Sequence, residues 1–195
     1  MEAWDNVEVV SCDMRRWNPS VKADVMVSEL LGSWGDNELS PECLDGAQVY
    51  LQDYGISIPQ SYTSFIAPLS SSKLWNSAAA VFPTDRVKGL ETPYVCRLHN
   101  VCIFDDAQPL FTFNHPNHTS PIDNRRYHSV SFQITHHRTI HGFSGTFESA
   151  LYEDVLISIS PQTHSAGMFS WFPLYIPLRD PVRLRPGDTL CVHMW

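Results

Sequence analysis

The chain has 195 residues, 43% of them hydrophobic, and 13 Lys and Arg against 21 Asp and Glu give it a formal charge of −8. This apolar content supports one large or two small packed domains and excludes a disordered or fibrous chain. The negative balance argues against direct nucleic-acid binding, because neutralising phosphates takes clustered Lys and Arg, and it suits a cationic peptide better.

In chain order, the first ten residues, MEAWDNVEVV, carry neither a basic n-region nor an apolar h-region. No apolar run approaches the roughly 20 residues of a membrane span. Together these predict a soluble intracellular chain with no membrane contact. Residues 7–13, VEVVSCD, alternate loosely and are β-branched, which predicts a strand. Residues 23–30, ADVMVSEL, form the near-continuous apolar run of a strand buried on both faces of a parallel sheet. Ser40-Pro41-Glu42 reads as an N-cap, a proline in the first helical position and an acid in the first turn, opening a helix that runs to about residue 52 and stops before Gly55.

From Ile56 onward short β-prone runs take over: YTSFIAPLS, PYVCRLHNV, HSVSFQIT, TIHGFSGTFESALY, VLISIS and TLCVHMW, punctuated by Pro, Asn, Asp and Gly. One further helix is expected near residues 74–80, and a surface excursion over residues 76–92. The fold class is therefore α/β plus β, an α/β unit over 1–60 followed by an antiparallel β unit over 61–195.

Cys12, Cys43, Cys96, Cys102 and Cys191 are odd in number and widely spaced, which points to a reducing compartment. His137 and His141 would share a face in a helix but not in this β-prone context, so no metal site is expected. Asn117-His118-Thr119 fits a glycosylation acceptor by chance composition.

The stretch SELLGSWGDNE places Glu29 at the end of a predicted parallel strand, where open α/β sheets bind ligands, and Glu38 nine residues later. Gly32 and Gly35 allow a tight return that sets the two carboxylates around a cation. Spacing alone equally allows Glu29 to end a strand in solvent and Glu38 to decorate a helix start.

The longer wording, VSELLGSWGDNELSPECLDGAQ, resembles the double-glutamate loop of protein arginine methyltransferases, specifically of the type II, symmetric-dimethylating branch to which member five of the family belongs. The resemblance continues through SIPQSYTSFIAPLSSSKLWN, PYVCRLHN, FTFNHP, IDNRRY and THSAGMFSWFP, almost the whole chain. It implies a partial doubly wound S-adenosylmethionine-dependent methyltransferase sheet followed by a β-barrel domain incomplete at its C-terminus.

By that resemblance Glu29 and Glu38 grip the substrate guanidinium, with Glu38 the candidate base. Deprotonating a free guanidinium at neutral pH would cost about 9 kcal/mol. Two carboxylates instead fix its planar fork and draw charge toward the held nitrogens, leaving one nitrogen aligned with the sulfonium methyl. Asp13 and Met14 match the position that contacts the adenine of S-adenosylmethionine, the methyl donor. Trp171 corresponds to a residue beside the substrate, where an indole face stacks on a guanidinium. Leu31 and Phe172 would line the peptide path through their backbones. Ser170 stands where asymmetric-dimethylating relatives have histidine. Cys43, in the first turn of the helix, is a candidate reactive thiol.

The resemblance further implies arginine-bearing tails of histones and splicing proteins as substrates, homo-oligomerisation, and a cytoplasmic and nuclear location. It also brings a WD-repeat partner, whose binding domain this sequence lacks. No glycine-rich strand-to-helix turn precedes Asp13, and the strands that the family sets between VEVVSCD and ADVMVSEL are missing. The expectation is accordingly a partial chain with little activity alone. The rival readings are a non-catalytic interaction module of the same family and, more remotely, a hydrolase using two glutamates as glycosidases do.

Overall fold

The computed structural model describes residues 5–195. Eleven strands and three α-helices are present among the described residues. No helix among them is long and apolar enough to cross a membrane.

The first unit is small. Strand β1 (Ala23–Val27) runs parallel to β2 (Leu51–Ile58), with α1 (Ser40–Ala47) in the connection. The parallel pair and its connecting helix fit the α/β reading, but the strand ends at Val27 and is not buried on both faces: Val25 and Val27 are exposed, because among the described residues β2 is its one ladder neighbour. Three further local expectations change. Residues 7–13 form no strand: Val9 is 90% exposed, and among the described residues the run has no ladder partner. A β-branched run becomes a strand only where a neighbour satisfies its backbone donors and acceptors.

The N-cap of α1 is Leu39, at φ 61°, and not Ser40, so Pro41 takes the second helical position. The helix also ends early, passing through a 3-10 turn at Gln48–Tyr50 into β2, which the expected helix had partly absorbed.

The second unit is built on two long antiparallel strands, β3 (Ser61–Ser70) and β8 (Arg138–Tyr152), in register from Ser61 opposite Ala150 to Leu69 opposite Gly142. Strands β6 (Gln108–Asn114) and β5 (Cys102–Ile103) pair with β3, and β9 (Val155–Ser158) pairs with β8. Strand β10 (Leu174–Leu184) lies on the other side of β8 and carries β4 (Tyr94–Val95). A separate antiparallel ribbon joins β7 (His128–Gln133) to β11 (Thr189–Met194). Among the described residues these ladders do not close into a barrel. The helix expected near residues 74–80 is α2 (Ser72–Ala79), capped by Ser71, and the expected excursion holds the short α3 (Arg86–Leu90), capped by Asp85.

The main core gathers Ile66, Phe132, Ile140 and Phe143 beneath Trp34, so one residue of the first unit is part of the second unit's core. Gly142 sits where β8 and β10 approach closely: a Cβ there would overlap the carbonyl oxygen of Ile176 and come within 2.5 Å of Tyr175 Cε2. Gly142→Ala is therefore expected to cost about 1–3 kcal/mol in denaturant unfolding, the usual range for overpacking a filled interior; an unchanged midpoint would contradict this packing.

Candidate functional site

The loop between β1 and α1 carries both predicted glutamates, and its shape follows from a few short-range bonds. Gly32 and Gly35 exchange backbone hydrogen bonds at 2.9 and 3.0 Å, making a tight reversal. Gly35 needs its freedom: φ is 79°, and a Cβ would press on Ser64 Oγ and Tyr62 Cδ2, each 3.3 Å away. At the tip, the Trp34 backbone N–H donates to Asn37 Oδ1 at 2.6 Å. The Trp34 indole N–H reaches across to the Phe65 carbonyl on β3 at 2.7 Å, and Ser64 Oγ donates back to the Trp34 carbonyl at 2.6 Å.

The loop is fastened at a second place by Trp171, whose indole N–H donates to the Leu31 carbonyl at 2.8 Å while its ring meets Phe147 edge-on at 5.7 Å. The structure thus brings Leu31 and Trp171 together. It holds Trp171 by its edge, with Phe147 against it. Phe172 is half-buried, and the Arg97 guanidinium lies 4.9 Å from its ring centroid.

A third fastening runs through Arg126. Its Nε donates to Asp36, which is 5% exposed, and its two terminal nitrogens grip Glu42 Oε1 and Oε2 at 2.7 and 3.1 Å. Ser64 Oγ, whose single proton points to the nearer Trp34 carbonyl, also lies 3.0 Å from Asp36 Oδ1, and the Phe113 ring centroid lies 5.2 Å from the guanidinium. Hydrogen bonding to Arg126 lowers the Glu42 carboxyl below its ordinary range and raises Arg126 above its own.

Glu29 and Glu38 themselves are exposed, and among the described residues neither carboxylate is held by a hydrogen bond or ion pair. They are the acids of this loop left available to a ligand. Leu39, immediately after Glu38, is in the left-handed region, a conformation that costs a non-glycine residue roughly 1–2 kcal/mol and persists only when its surroundings impose it.

The helix behind the loop is docked by polar bonds. Gln48 exchanges two hydrogen bonds with the Asn117 backbone at 2.9 and 2.7 Å, and Asn124 Nδ2 donates to Asp45 Oδ2 at 2.8 Å. His115 Nδ1 lies 3.6 Å from Asp45 Oδ1, and its Nε2 lies 3.3 Å from the Tyr62 hydroxyl, in a pocket where the His115 side chain is 1% exposed. Burial holds His115 below its ordinary value, outweighing the opposing pull of Asp45.

The sign of the pH effect follows. The unfolded chain takes up this proton below about pH 6.5 while the folded one resists, so stability present above that pH is lost as pH falls. The Glu42 contribution is lost at lower pH still, as pH drops through the carboxylate range. The melting temperature should therefore fall from pH 7.5 to 5.5, and His115→Gln should shrink that difference; an equal difference in the variant would remove His115 from the account.

Met14 opens the 3-10 turn Met14–Arg16, which packs on α1 through Arg15, and Asp13 precedes it as the N-cap. The Asp13 carboxylate caps that turn and takes three bonds from Arg15: Oδ1 accepts from its backbone N–H at 2.9 Å and its Nε at 3.0 Å, and Oδ2 accepts from Nη2 at 2.6 Å. These bonds push its pKa far down, although the carboxylate stays open to solvent in part. A carboxylate has about four acceptor positions, so one remains on Oδ2 for a donor such as an exocyclic amine. Met14 lines an apolar cavity of about 300 Å³ with Trp17, Met26, Val27, Tyr50 and Leu51. The cavity is apolar enough to take a flat ring, and Asp13 is not among the residues that line it. Cys43 is half-buried in the first turn of α1. Among the described residues no three metal-ligating side chains converge.

Residue-level reading missed Trp34, Asp36, Ser64 and Arg126. Each partner pair is separated by 28 to 90 residues, so no local spacing could reveal it.

Residues 61–195 match the family described as PRMT5 oligomerisation domain, and residues 1–58 match PRMT5 arginine-N-methyltransferase. The chain is 53% identical over 197 residues to protein arginine N-methyltransferase 5 of Xenopus laevis, covering 100% of this chain and 31% of that protein. It is 44% identical over 203 residues to protein arginine N-methyltransferase skb1 of Schizosaccharomyces pombe, covering 97% and 32% respectively. The chain thus spans under a third of the length of these curated relatives.

Among solved structures, a Trypanosoma brucei PRMT1 enzyme–prozyme heterotetrameric complex with AdoHcy superposes with a TM-score of 0.76 at 16% identity, over 93% of this chain and 60% of that one. Arabidopsis thaliana protein arginine methyltransferase 10 superposes with a TM-score of 0.72 at 16% identity, over 95% and 64%. These likenesses show the arginine-methyltransferase fold. With both of its parts matched, the chain belongs to the protein arginine N-methyltransferase 5 family.

Proposed function

We propose that this chain is the substrate-gripping portion of an S-adenosylmethionine-dependent protein arginine methyltransferase, with Glu29 and Glu38 as the guanidinium clamp. The observation that carries the reading is that this loop, fastened at three places, leaves these two carboxylates exposed and unengaged among the described residues. Two fixed carboxylates take a guanidinium bidentately, hold its plane and leave one terminal nitrogen free to attack. As that nitrogen attacked the methyl carbon, the carbon–sulfur bond would break with its electron pair left on sulfur, and the carboxylates would stabilise the positive charge so transferred to the guanidinium. Glu38 then takes the proton the alkylated nitrogen sheds. When bound, S-adenosylmethionine supplies an electrophilic methyl group on a sulfonium. Met14 and the remaining acceptor of Asp13 would hold its adenine, and Trp171 would face the substrate arginine. Leu31 and Phe172 would line the peptide path, and Cys43 would be a thiol open to modification.

The antiparallel strands belong, in this reading, to a substrate-covering barrel that also carries homo-oligomerisation, as the name of the matched family suggests. Symmetric dimethylation, histone and splicing-protein tails as substrates, and cytoplasmic and nuclear residence complete the proposal. The chain alone should transfer little methyl, because the match omits more than two thirds of the relatives' length.

The test is to exchange this chain for the matching segment of the Xenopus laevis relative and supply labelled S-adenosylmethionine with an Arg-Gly peptide. Methylation of arginine and not of a Lys-Gly control is the expected result. A folded chimera that methylates neither, or that accepts lysine equally, overturns the proposal.

A further inference from the structure

Building on the reading of Glu29 and Glu38 as the clamp, we infer that Arg126 is the positioning residue that sets it. Four acids lie between residues 29 and 42: Glu29, Asp36, Glu38 and Glu42. Arg126 binds two of them, Asp36 through Nε and Glu42 through both terminal nitrogens. One guanidinium therefore sorts the loop's carboxylates, neutralising the pair that flanks Glu38 and leaving the other pair for the substrate.

It also fixes the backbone on both sides of Glu38. Asp36 opens the turn that carries Glu38, closed by the Leu39 N–H donating to the Asp36 carbonyl at 3.2 Å, and Glu42 lies in the first turn of α1 just beyond it. Leu39, held at φ 61° between these anchors, is the joint that such fastening has to impose. Arg126 is itself braced, with its Nη1 donating to the Asn124 carbonyl at 2.9 Å and Asn124 bound to Asp45 on the same helix.

The planar fork is essential to this arrangement. A lysine brings the charge but cannot grip Glu42 with two parallel bonds while reaching Asp36. Arg126 touches no reacting atom in this account; it acts through the loop.

The experiment compares the wild-type chain with Arg126→Lys, Arg126→Gln and Glu29→Gln, reading the affinity for a fluorescent Arg-Gly peptide and amide hydrogen exchange over residues 36–42. Arg126→Gln should weaken the peptide by about ten-fold or more, since a small misplacement of a positioning group has effects of that size. It should also speed exchange at residues 37–39. Arg126→Lys, which keeps the charge and protects the fold, should bind nearly as poorly, and Glu29→Gln should lose the peptide with exchange unaltered. If both Arg126 variants bind like the wild type while Glu29→Gln does not, Arg126 has no positioning role although the clamp stands. If the Arg126 variants exchange faster but the wild type ignores the arginine peptide, the clamp reading fails and takes this role with it.

Discussion

Replacing Glu29 by Gln in the Xenopus chimera is expected to lower arginine methylation by at least about 100-fold, the usual scale for removing one preorganised electrostatic partner of a transition state. The side chain keeps its shape and loses its charge. Because Glu29 is exposed and unengaged among the described residues, the fold does not depend on that charge, and the melting temperature should hold. The separation of activity from stability distinguishes a clamp from a strand-ending carboxylate: a mere surface acid would leave both unchanged. Glu38→Gln should lose comparable activity. If Glu38 also receives the proton, its loss should fall mainly on kcat, whereas a purely binding role raises KM.

Trp34→Ala should produce the largest loss of stability, about 3–5 kcal/mol by denaturant unfolding, the range for truncating a buried tryptophan. Trp34 is 9% exposed, packs edge-on to Phe111 at 6.3 Å and belongs to the main core of the second unit. Its truncation would also leave the Phe65 carbonyl without its 2.7 Å donor. Trp34→Phe, which restores most of the volume but not the N–H, should recover part of the loss. The loop that carries Glu29 and Glu38 hangs on this side chain, so Trp34→Ala should weaken peptide binding even below the temperature at which unfolding begins. A loss of stability under 1 kcal/mol would contradict the packing.

The elements most readable in the sequence were those whose pattern is local. Residues 139–152 lie in a β-prone run that forms the body of β8, while the apolar run at residues 23–30 supplies the parallel strand β1 over Ala23–Val27, its side chains half-buried or exposed. Strand β10 escaped because Pro177 and Pro181 interrupt it; the ladder with β8 skips between Pro177 and Val182, which tolerates missing N–H donors. Residues 7–13 look like a strand but have no ladder partner among the described residues. Strand β2 was hidden by Gly55 and by a helix that closes one turn earlier than its composition suggests.

The same division holds at the site. The words around Glu29 and Glu38 mark the loop, since its glycines and acids are contiguous. What shapes the loop is distant in sequence: Phe65 accepts from Trp34, Trp171 donates to Leu31, and Arg126 reaches back 90 residues to Asp36. Arg126 lies within IDNRRY, a segment that resembles the family, but nothing in its neighbours says which carboxylates it meets.

The central claim, that Glu29 and Glu38 hold an arginine side chain, is tested most directly by a structure of the chimera with S-adenosylhomocysteine and an Arg-Gly peptide. The account predicts the substrate guanidinium between the two carboxylates at about 2.7–2.9 Å, the range of charge-assisted bonds, with Arg126 still on Asp36 and Glu42. A guanidinium bound elsewhere, with Glu29 and Glu38 both facing solvent, would contradict it.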